Sequence, residues 1–549
     1  MKSRLQTLCV LAHLVFLILP VAARADDLML RIVQTQGGAA PQYEVTHAQR
    51  GHFAHQPPLV ETRDNDLIVI GRDYQGRELF RAAVRDPGDN VAEVFDPATG
   101  AIAETRKIAT PNAVVEVRMP YPMNLTSLDL LARTALSRTE HIKSQGADTY
   151  EPTPAKRLLR QELDALLSAN EPHSITGARE MSKAAIVPTG SAMLWQSGPT
   201  ATRLDIVLIG DGYASADQAK WKSDAQSVAN GILADSLFNS HSASINIRRV
   251  DIVSPDSGVS EQFGAIPRNT ALGTVVGCYG LDRLVCADNT LVANAVAAAT
   301  PVDGRDQVIL VANSTTYGGS GGQAFAALTM NPQSIQIALH EVGHSAFQLA
   351  DEYDTGTCAT TTEPTEADVT IQTTRAGIKW GSMIADSISL PTQPGAYPNG
   401  TVGLFTGAKY CPSGVYRPTE NSRMRTLGYP WHAVNERRAD QIFAYYNPTY
   451  VSNGTTGSLA NGAVVYPASG SYNSAGGGLV TLYLYSPASA EFDLTLYWWN
   501  GTQWVAVAET LGPASYKTLS YQGGSGYYTT QVHSYTGSGS YTLYSSFPK

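Results

Sequence analysis

Apolar and polar positions alternate with a period of two near both ends of the chain, and with a helical period mainly in between. Leu67-Ile68-Val69-Ile70 and the run Leu79 to Val84 flank Tyr74-Gln75-Gly76, and Val114-Val115-Glu116-Val117 alternates again. Successive side chains on a strand point to opposite faces, so these runs predict strands, the first two joined by a hairpin turn. The stretch from about Leu28 to Tyr121 therefore predicts a small β-sandwich. The period then changes. Leu158, Leu159, Leu163, Leu166 and Leu167 fall on one side of a helix predicted from Ala155 to Ser168. A Gly-, Pro- and Ser-containing connection runs on to about Thr200.

From there, strand and helix signals mix. Leu204 to Ile209 predicts a buried strand, broken by Gly210-Asp211-Gly212-Tyr213. Ser215 and Gln218 have capping-box spacing for a helix that runs through Ala234. Two more strands are predicted at Asn246 to Val253 and Gln307 to Val311. Tyr317-Gly318-Gly319-Ser320-Gly321-Gly322 follows, poor in side chains and read as either a cleft rim or a plain loop. Ile335, Ala338, Leu339, Val342 and Leu349 then recur at helical spacing, with Ser334 as the expected N-cap. After Tyr446-Asn447-Pro448 a Gly/Ser/Asn/Thr-rich stretch reads as a linker. Beyond it, Tyr-rich alternating runs such as Leu479 to Tyr485 and Leu494 to Trp499 predict a second β-sandwich.

Composition adds a compartment. Lys2 and Arg4, the apolar run Leu8 to Val21 and Ala23-Arg24-Ala25 form a secretory leader, which leaves the mature chain to begin near Asp26. Outside that leader the cysteines are Cys278, Cys286, Cys358 and Cys411, an even number suited to disulfides. The expected pairs are Cys278–Cys286 and Cys358–Cys411. A formal net charge of −9 over 549 residues, with no basic stripe, speaks against a nucleic-acid partner. No later run is long and apolar enough to predict a membrane span.

The chemistry concentrates at His340-Glu341-Val342-Gly343-His344 and Leu349-Ala350-Asp351-Glu352-Tyr353. On a helix, residues four apart share a face, so His340 and His344 can ligate one Zn²⁺. Zinc lowers the pKa of a water it holds towards ~7, and Glu341 stands where a carboxylate can take that proton. Two His ligands are not enough, because a catalytic site takes three protein ligands and keeps one position open. One candidate for the third is Glu436, on a later predicted helix, as in gluzincins. The other is the acidic segment directly after the motif, Asp351 or its neighbour Glu352. On a straight helix Asp351 would sit roughly 10 Å along the axis, so it serves only if the helix breaks between about Phe347 and Ala350.

The chain resembles the bacterial IgA-peptidase family of zinc metallopeptidases, a metzincin-like group. The resemblance rests on Ile209-Gly210-Asp211-Gly212-Tyr213, on the two motifs above and on Gly403-Leu404-Phe405-Thr406-Gly407-Ala408. It continues through Gly414-Val415-Tyr416-Arg417-Pro418 into Met424-Arg425. It implies that Met424 is the methionine of a turn beneath the metal, that the N-terminal β region is an accessory domain, and that Asp351 is the preferred third ligand. One departure is plain. Metzincins place Gly three residues after the second His, where this chain has Phe347, and Ala350 stands where their third ligand would be. The last hundred or so residues resemble the bacterial pre-peptidase C-terminal domain, through Ser525-Gly526-Tyr527-Tyr528 and Tyr535 to Leu543.

The expectation is a secreted zinc endopeptidase of multidomain α/β and β class, acting on protein or peptide substrates. Its layout would be a leader (1–25), an N-terminal β-sandwich (26–135), a helical connection (136–200) and a metzincin-like catalytic domain (201–447). A linker (448–461) and a C-terminal β-sandwich (462–549) would follow. Zn²⁺ would be held by His340, His344 and Asp351, with Glu341 as general base. A zinc amidase directed at peptidoglycan, and a non-catalytic adhesion protein, are the alternatives. The C-terminal aromatics could contact a cell surface or carbohydrate, though in strands such residues more often form the core. Tyr416 and Tyr429 are candidates to stabilise an oxyanion, His432 is a further possible ligand by residue type, and Asp211 is read as structural.

Overall fold

A computed structural model of the chain describes residues 26–548 except 38–39, 52, 54–55, 58, 60–65, 87, 111, 133–154, 170–186, 262–266, 323, 357, 447–449, 468–471, 475–477, 488–489 and 514–515. The expected leader and most of the expected connection at 136–200 lie outside the described residues.

In the N-terminal region two sheets face each other. One has the order β2 (Ala40–Gly51), β1 (Asp26–Gly37), β7 (Ala113–Tyr121). The other runs β4 (Glu78–Val84), β3 (Leu67–Arg72), β8 (Ser127–Ala132), β9 (Lys156–Leu159). Alternate residues of both, among them Leu28, Leu30, Leu67, Val69, Leu128 and Leu130, form one buried core. The segment expected to be helical from Ala155 begins as β9, and only Arg160–Ala169 forms a helix, α1. Leu158 and Leu163 are both buried in that same core, so the apolar pattern marks the inward face correctly while the edge of β8 recruits the first turn as a strand. A third element, the hairpin of β5 (Asp89–Phe95) and β6 (Ile102–Ala109), belongs to neither sheet.

The middle of the chain is built on a six-stranded sheet of order β10 (Gly190–Gln196), β12 (Ile245–Asp251), β11 (Leu204–Asp211), β16 (Gln307–Ala312), β18 (Ala326–Thr329), β17 (Gly319–Ser320). Only the two outermost strands pair antiparallel with their neighbours. Every residue of β11 is buried, as in a strand covered on both faces. Its Leu204, Ile206 and Leu208 pack towards helices α2 (Gln218–Ala234), α5 (Ser334–Ser345) and α6 (His432–Tyr446). Val207 and Ile209 face α4 (Asn289–Ala299) on the other side, and α3 (Ser236–Ser240) is a short turn after α2.

Two expected caps are replaced. Asp217, not Ser215, accepts from the Ala214 N–H before α2, while Gln218 bonds the carbonyls of Tyr213 and Ile252. Ser334 is the first residue of α5, fully buried, and its hydroxyl bonds Thr329 rather than capping the helix. The small strands β13 (Ser260–Glu261), β14 (Val275–Val276) and β15 (Val285–Cys286) form a side sheet, and β19 (Phe405–Ala408) pairs with β20 (Cys411–Arg417). Disulfides close Cys278–Cys286 and Cys358–Cys411, the expected pairs.

The C-terminal region contains two antiparallel sheets around a core that includes Leu482, Leu484, Phe492, Leu494 and Val532. The stretch expected as a linker at 448–461 is not one. Tyr450–Leu459 is strand β21, paired along its length with the final strand Gly539–Pro548. Backbone hydrogen bonds supply that pairing, so a run poor in large side chains can still be a strand against a well-packed neighbour. No described helix is long and apolar enough to cross a membrane.

Candidate metal centre

Helix α5 presents His340 and His344 on one face, their Nε2 atoms 3.1 Å apart. Each imidazole is oriented through its other nitrogen. His340 Nδ1 lies 3.0 Å from the Arg423 carbonyl and His344 Nδ1 2.8 Å from that of Leu349. With Nδ1 carrying the proton, both Nε2 lone pairs point at a common space, the arrangement that metal-binding histidines take.

The helix then breaks, at the place where Asp351 needs it to. α5 ends at Ser345, and Gln348 takes φ 57°, a left-handed conformation that costs a non-glycine residue roughly 1–2 kcal/mol. Arg438 holds the turn, donating to the Phe347 carbonyl and to Gln348 Oε1. Phe347, in the position that glycine occupies in metzincins, is buried against Phe238, Trp431 and Phe443. The reversal brings Asp351 Oδ1 to 3.2 Å from His344 Nε2 and 3.4 Å from His340 Nε2.

A fourth donor arrives from outside the middle region. Glu93, on β5, places Oε2 3.2 Å from His340 Nε2. Donor atoms of Glu93, His340, His344 and Asp351 all lie within 4.8 Å of one another, and this group could hold a metal ion. The two carboxylates are held alike. Tyr410 donates to Asp351 Oδ2 at 2.6 Å and Tyr353 donates to Glu93 Oε1, leaving Asp351 Oδ1 and Glu93 Oε2 buried with no hydrogen-bond partner. Burial pushes the Glu93 carboxyl up, and the Asp351 charge adds to the shift. For Asp351 burial acts in the same direction, but His344 and His340 outweigh it and hold the group below its ordinary range. Burial opposes charge on His344, yet Asp351 raises it to about 9.

Glu341 stands beside this cluster. Burial, together with the Glu93 charge, pushes its carboxyl up to about 8. It lines a cleft with Gly321, Gly322, His344, Asp351 and Tyr410. A Cβ at Gly321 would fall 1.6 Å from Glu341 Oε2, so the Gly-rich segment lets backbone approach the carboxylate directly. Met424 lies under the helix. A Cβ at Gly343 would meet its Sδ at 2.6 Å, which accounts for a glycine in mid-helix. Glu352 is buried away from the cluster, where it accepts from Ser422 Oγ and Asn435 Nδ2 and braces the Met424 turn.

Other candidates lie elsewhere. Glu436 and His432 are on α6, outside the four-residue group, and His432 faces Asn399. Tyr416 packs near Trp380, and Tyr429 is exposed. Asp211 organises backbone, accepting from Ser254 Oγ and from the amides of Leu272 and Thr274. Sequence reasoning passed over Glu93 and Tyr410. Glu93 has no spacing signal, because it is far from His340 in the chain. Tyr410 sits in a two-residue hairpin turn at φ 68°, after Lys409 at φ 48°, positions where Asn-Gly is the usual signature.

Residues 192–397 match the model of the family described as IgA peptidase M64. That family implies a peptidase, and the matched span contains His340, Glu341, His344 and Asp351. Glu93, Tyr410 and Met424 fall outside the M64 span. Among solved structures, the Yersinia pseudotuberculosis-derived mitogen is similar at 17% identity over 17% of this chain and 84% of that one, with a TM-score of 0.15. The pre-peptidase C-terminal domain of a Bacillus anthracis collagenase is similar at 18% identity over 17% of this chain and 87% of that one, also at TM-score 0.15.

Proposed function

We propose that this chain is a secreted zinc-dependent endopeptidase of metzincin-like design. His340, His344 and Asp351 would hold the metal, and residues of about 201–447 would form the catalytic domain. The observation that carries this reading is the convergence of two imidazole Nε2 atoms and the unpartnered Asp351 Oδ1 to within 3.4 Å of one another, beside a buried Glu in the same cleft. Nitrogen and carboxylate donors of this kind suit Zn²⁺. A buried carboxylate oxygen with no partner costs roughly 1–3 kcal/mol unless something compensates it, and a cation would. When bound, zinc would polarise the scissile carbonyl and make water acidic.

The remaining steps belong to the chain's own residues. Glu341 takes the proton from the attacking water, then gives it to the departing amine. Its carboxyl, raised to about 8, is close to what a group that both accepts and donates near neutrality requires. The Leu349 and Arg423 carbonyls and the Tyr410 hydroxyl fix the orientation of the three proposed ligands. The disulfides fit an oxidising compartment.

Glu341→Gln tests the chemistry. Zinc content and fold should persist while hydrolysis of a short peptide falls about 10²–10⁴-fold. Proteolysis that survives both this change and metal chelation would refute the reading. The ligand set is tested separately: Asp351→Ala should lower zinc content in folded protein, and Glu436→Ala should not. The reverse ranking would make Glu436 the ligand.

A further inference from the structure

Glu93 gives the cluster one ligand more than a catalytic zinc site uses. Around an ion with donors at ~2.0–2.1 Å, the corners of a tetrahedron lie roughly 3.3–3.4 Å apart. The separations here are 3.1 Å for His340–His344, 3.2 Å for His340–Glu93, 3.2 Å for His344–Asp351 and 3.4 Å for His340–Asp351. Four side chains therefore already stand close to the spacing of a filled tetrahedral shell. Closed sites of four protein ligands are structural, whereas catalytic ones keep a position open for substrate.

The carboxylate is brought in by a hairpin docked with care. Phe95, two residues on, is buried and meets the His340 ring edge-on at 5.1 Å between centroids. It also packs with Ile337 and Leu427. Beyond the turn, the Gly100 carbonyl accepts from the Leu427 N–H at 2.8 Å, and Ala101 bridges Thr426. Ala92 and Val94 pack on the other side against Leu281 and Leu284, inside the Cys278–Cys286 loop. Val91 and Glu93, on one face of β5, line the same cleft as Glu341 and His344. The strand thus occupies space beside the proposed general base.

We infer that Glu93 is a fourth protein ligand to the proposed metal, and that the β5–β6 hairpin holds the peptidase latent until it withdraws. This rests on the zinc reading above. In the docked state no coordination position is left for a substrate carbonyl. Withdrawal of one hairpin, with His340, His344 and Asp351 unmoved, converts the closed site into an open three-ligand one. Tyr353 is a positioning residue in this scheme, because it grips Glu93 and not the substrate.

The test uses the full mature chain loaded with Zn²⁺ or Co²⁺, as wild type, Glu93→Gln, Glu93→Asp and Glu341→Gln. Near-ultraviolet circular dichroism checks that each is folded. Three quantities are read: zinc transfer to a chromogenic chelator, the visible spectrum of the cobalt form, and hydrolysis of a short peptide. Glu93→Gln should lose zinc at least about tenfold faster and hydrolyse the peptide at least about tenfold faster than wild type, with an altered cobalt spectrum. Glu93→Asp, whose carboxylate is one methylene short, should fall between them. Glu341→Gln should keep the wild-type spectrum. Metal release and a cobalt spectrum identical to wild type in Glu93→Gln, or slower hydrolysis, would overturn the inference while leaving the zinc reading intact. Failure of wild type itself to take up either metal would overturn the zinc reading as well.

Discussion

Two β-rich regions flank the part of the chain that matches the peptidase family, and they relate to the metal centre in opposite ways. The N-terminal one sends a hairpin inward, so that Glu93 and Phe95 touch His340. The C-terminal one stays outside. Its Ser486, Ser540 and Tyr541 meet Glu78–Arg81 on β4 of the N-terminal sheet, and none of the hydrogen bonds or ion pairs described for the centre reaches it. Similar secondary structure therefore carries two kinds of accessory role. One is built into the site, and the other adjoins the body that supports it.

The largest effect that sharpens this contrast is on packing. Phe95→Ala removes a buried aromatic ring from the contact between hairpin and helix, and should cost about 3–5 kcal/mol in the unfolding transition of the metal-free protein. It should also speed zinc loss, since it loosens the strand that carries Glu93. Phe492→Ala empties a comparable place in the C-terminal core, and should destabilise that region by a similar amount with zinc retention unchanged. Urea unfolding followed alongside zinc release checks both. A cost below about 1 kcal/mol for Phe95→Ala would mean that the hairpin is loosely seated.

A smaller effect separates the two carboxylates by sign. In metal-stripped protein Glu93 is raised, by burial first and by Asp351 second, so its contribution to stability is present below its unfolded pKa of about 4.3 and is lost as pH rises through the higher folded value. Asp351 is lowered, because His344 and His340 outweigh burial. Its contribution is present above its unfolded pKa of about 3.9 and is lost as pH falls. At about pH 8, Glu93→Gln should therefore stabilise the metal-free protein by roughly 1–3 kcal/mol, and Asp351→Asn should destabilise it by a similar amount. The Glu93→Gln gain should shrink as pH is lowered towards about 5. Thermal melts across that range decide the matter, and shifts of the same sign for both variants would show that the two carboxylates are equivalent in the apo state.

How much of this was legible in the sequence follows from how local each constraint is. His340, Glu341 and His344 share one helix, so spacing alone places them together. The break that lets Asp351 turn back was identified as a requirement. Its cause was not visible, because a left-handed Gln348 held by Arg438 depends on a side chain about ninety residues away. Gly343 carried a readable clue of close packing, which Met424 satisfies. Glu93 carried none: an acid on a strand of a remote sheet looks like any other surface carboxylate until the hairpin docks. Similarly, Tyr450–Leu459 has the composition of a linker, and its strand identity comes from its partner Gly539–Pro548.

The smallest expected effect makes the sharpest control on the comparison. Deleting residues 450–549 removes β21 together with the sheet it completes, so no unpaired strand is left behind. The cut falls just after α6, whose last residue is Tyr446, and within a few residues of the end of the peptidase body. Zinc content should not change, and hydrolysis of a short peptide should stay within about twofold of the full chain. The surface newly exposed is mainly that of β4, far in the fold from the hairpin's contacts with Ile337 and Leu427. What should fall is attack on large or surface-bound protein, for which an added β-module raises effective concentration. Comparing a short peptide with an immobilised protein substrate, for the full and shortened chains, reads both at once. Loss of zinc on truncation would show that the C-terminal region supports the centre after all, and would erase the asymmetry between the two flanking regions.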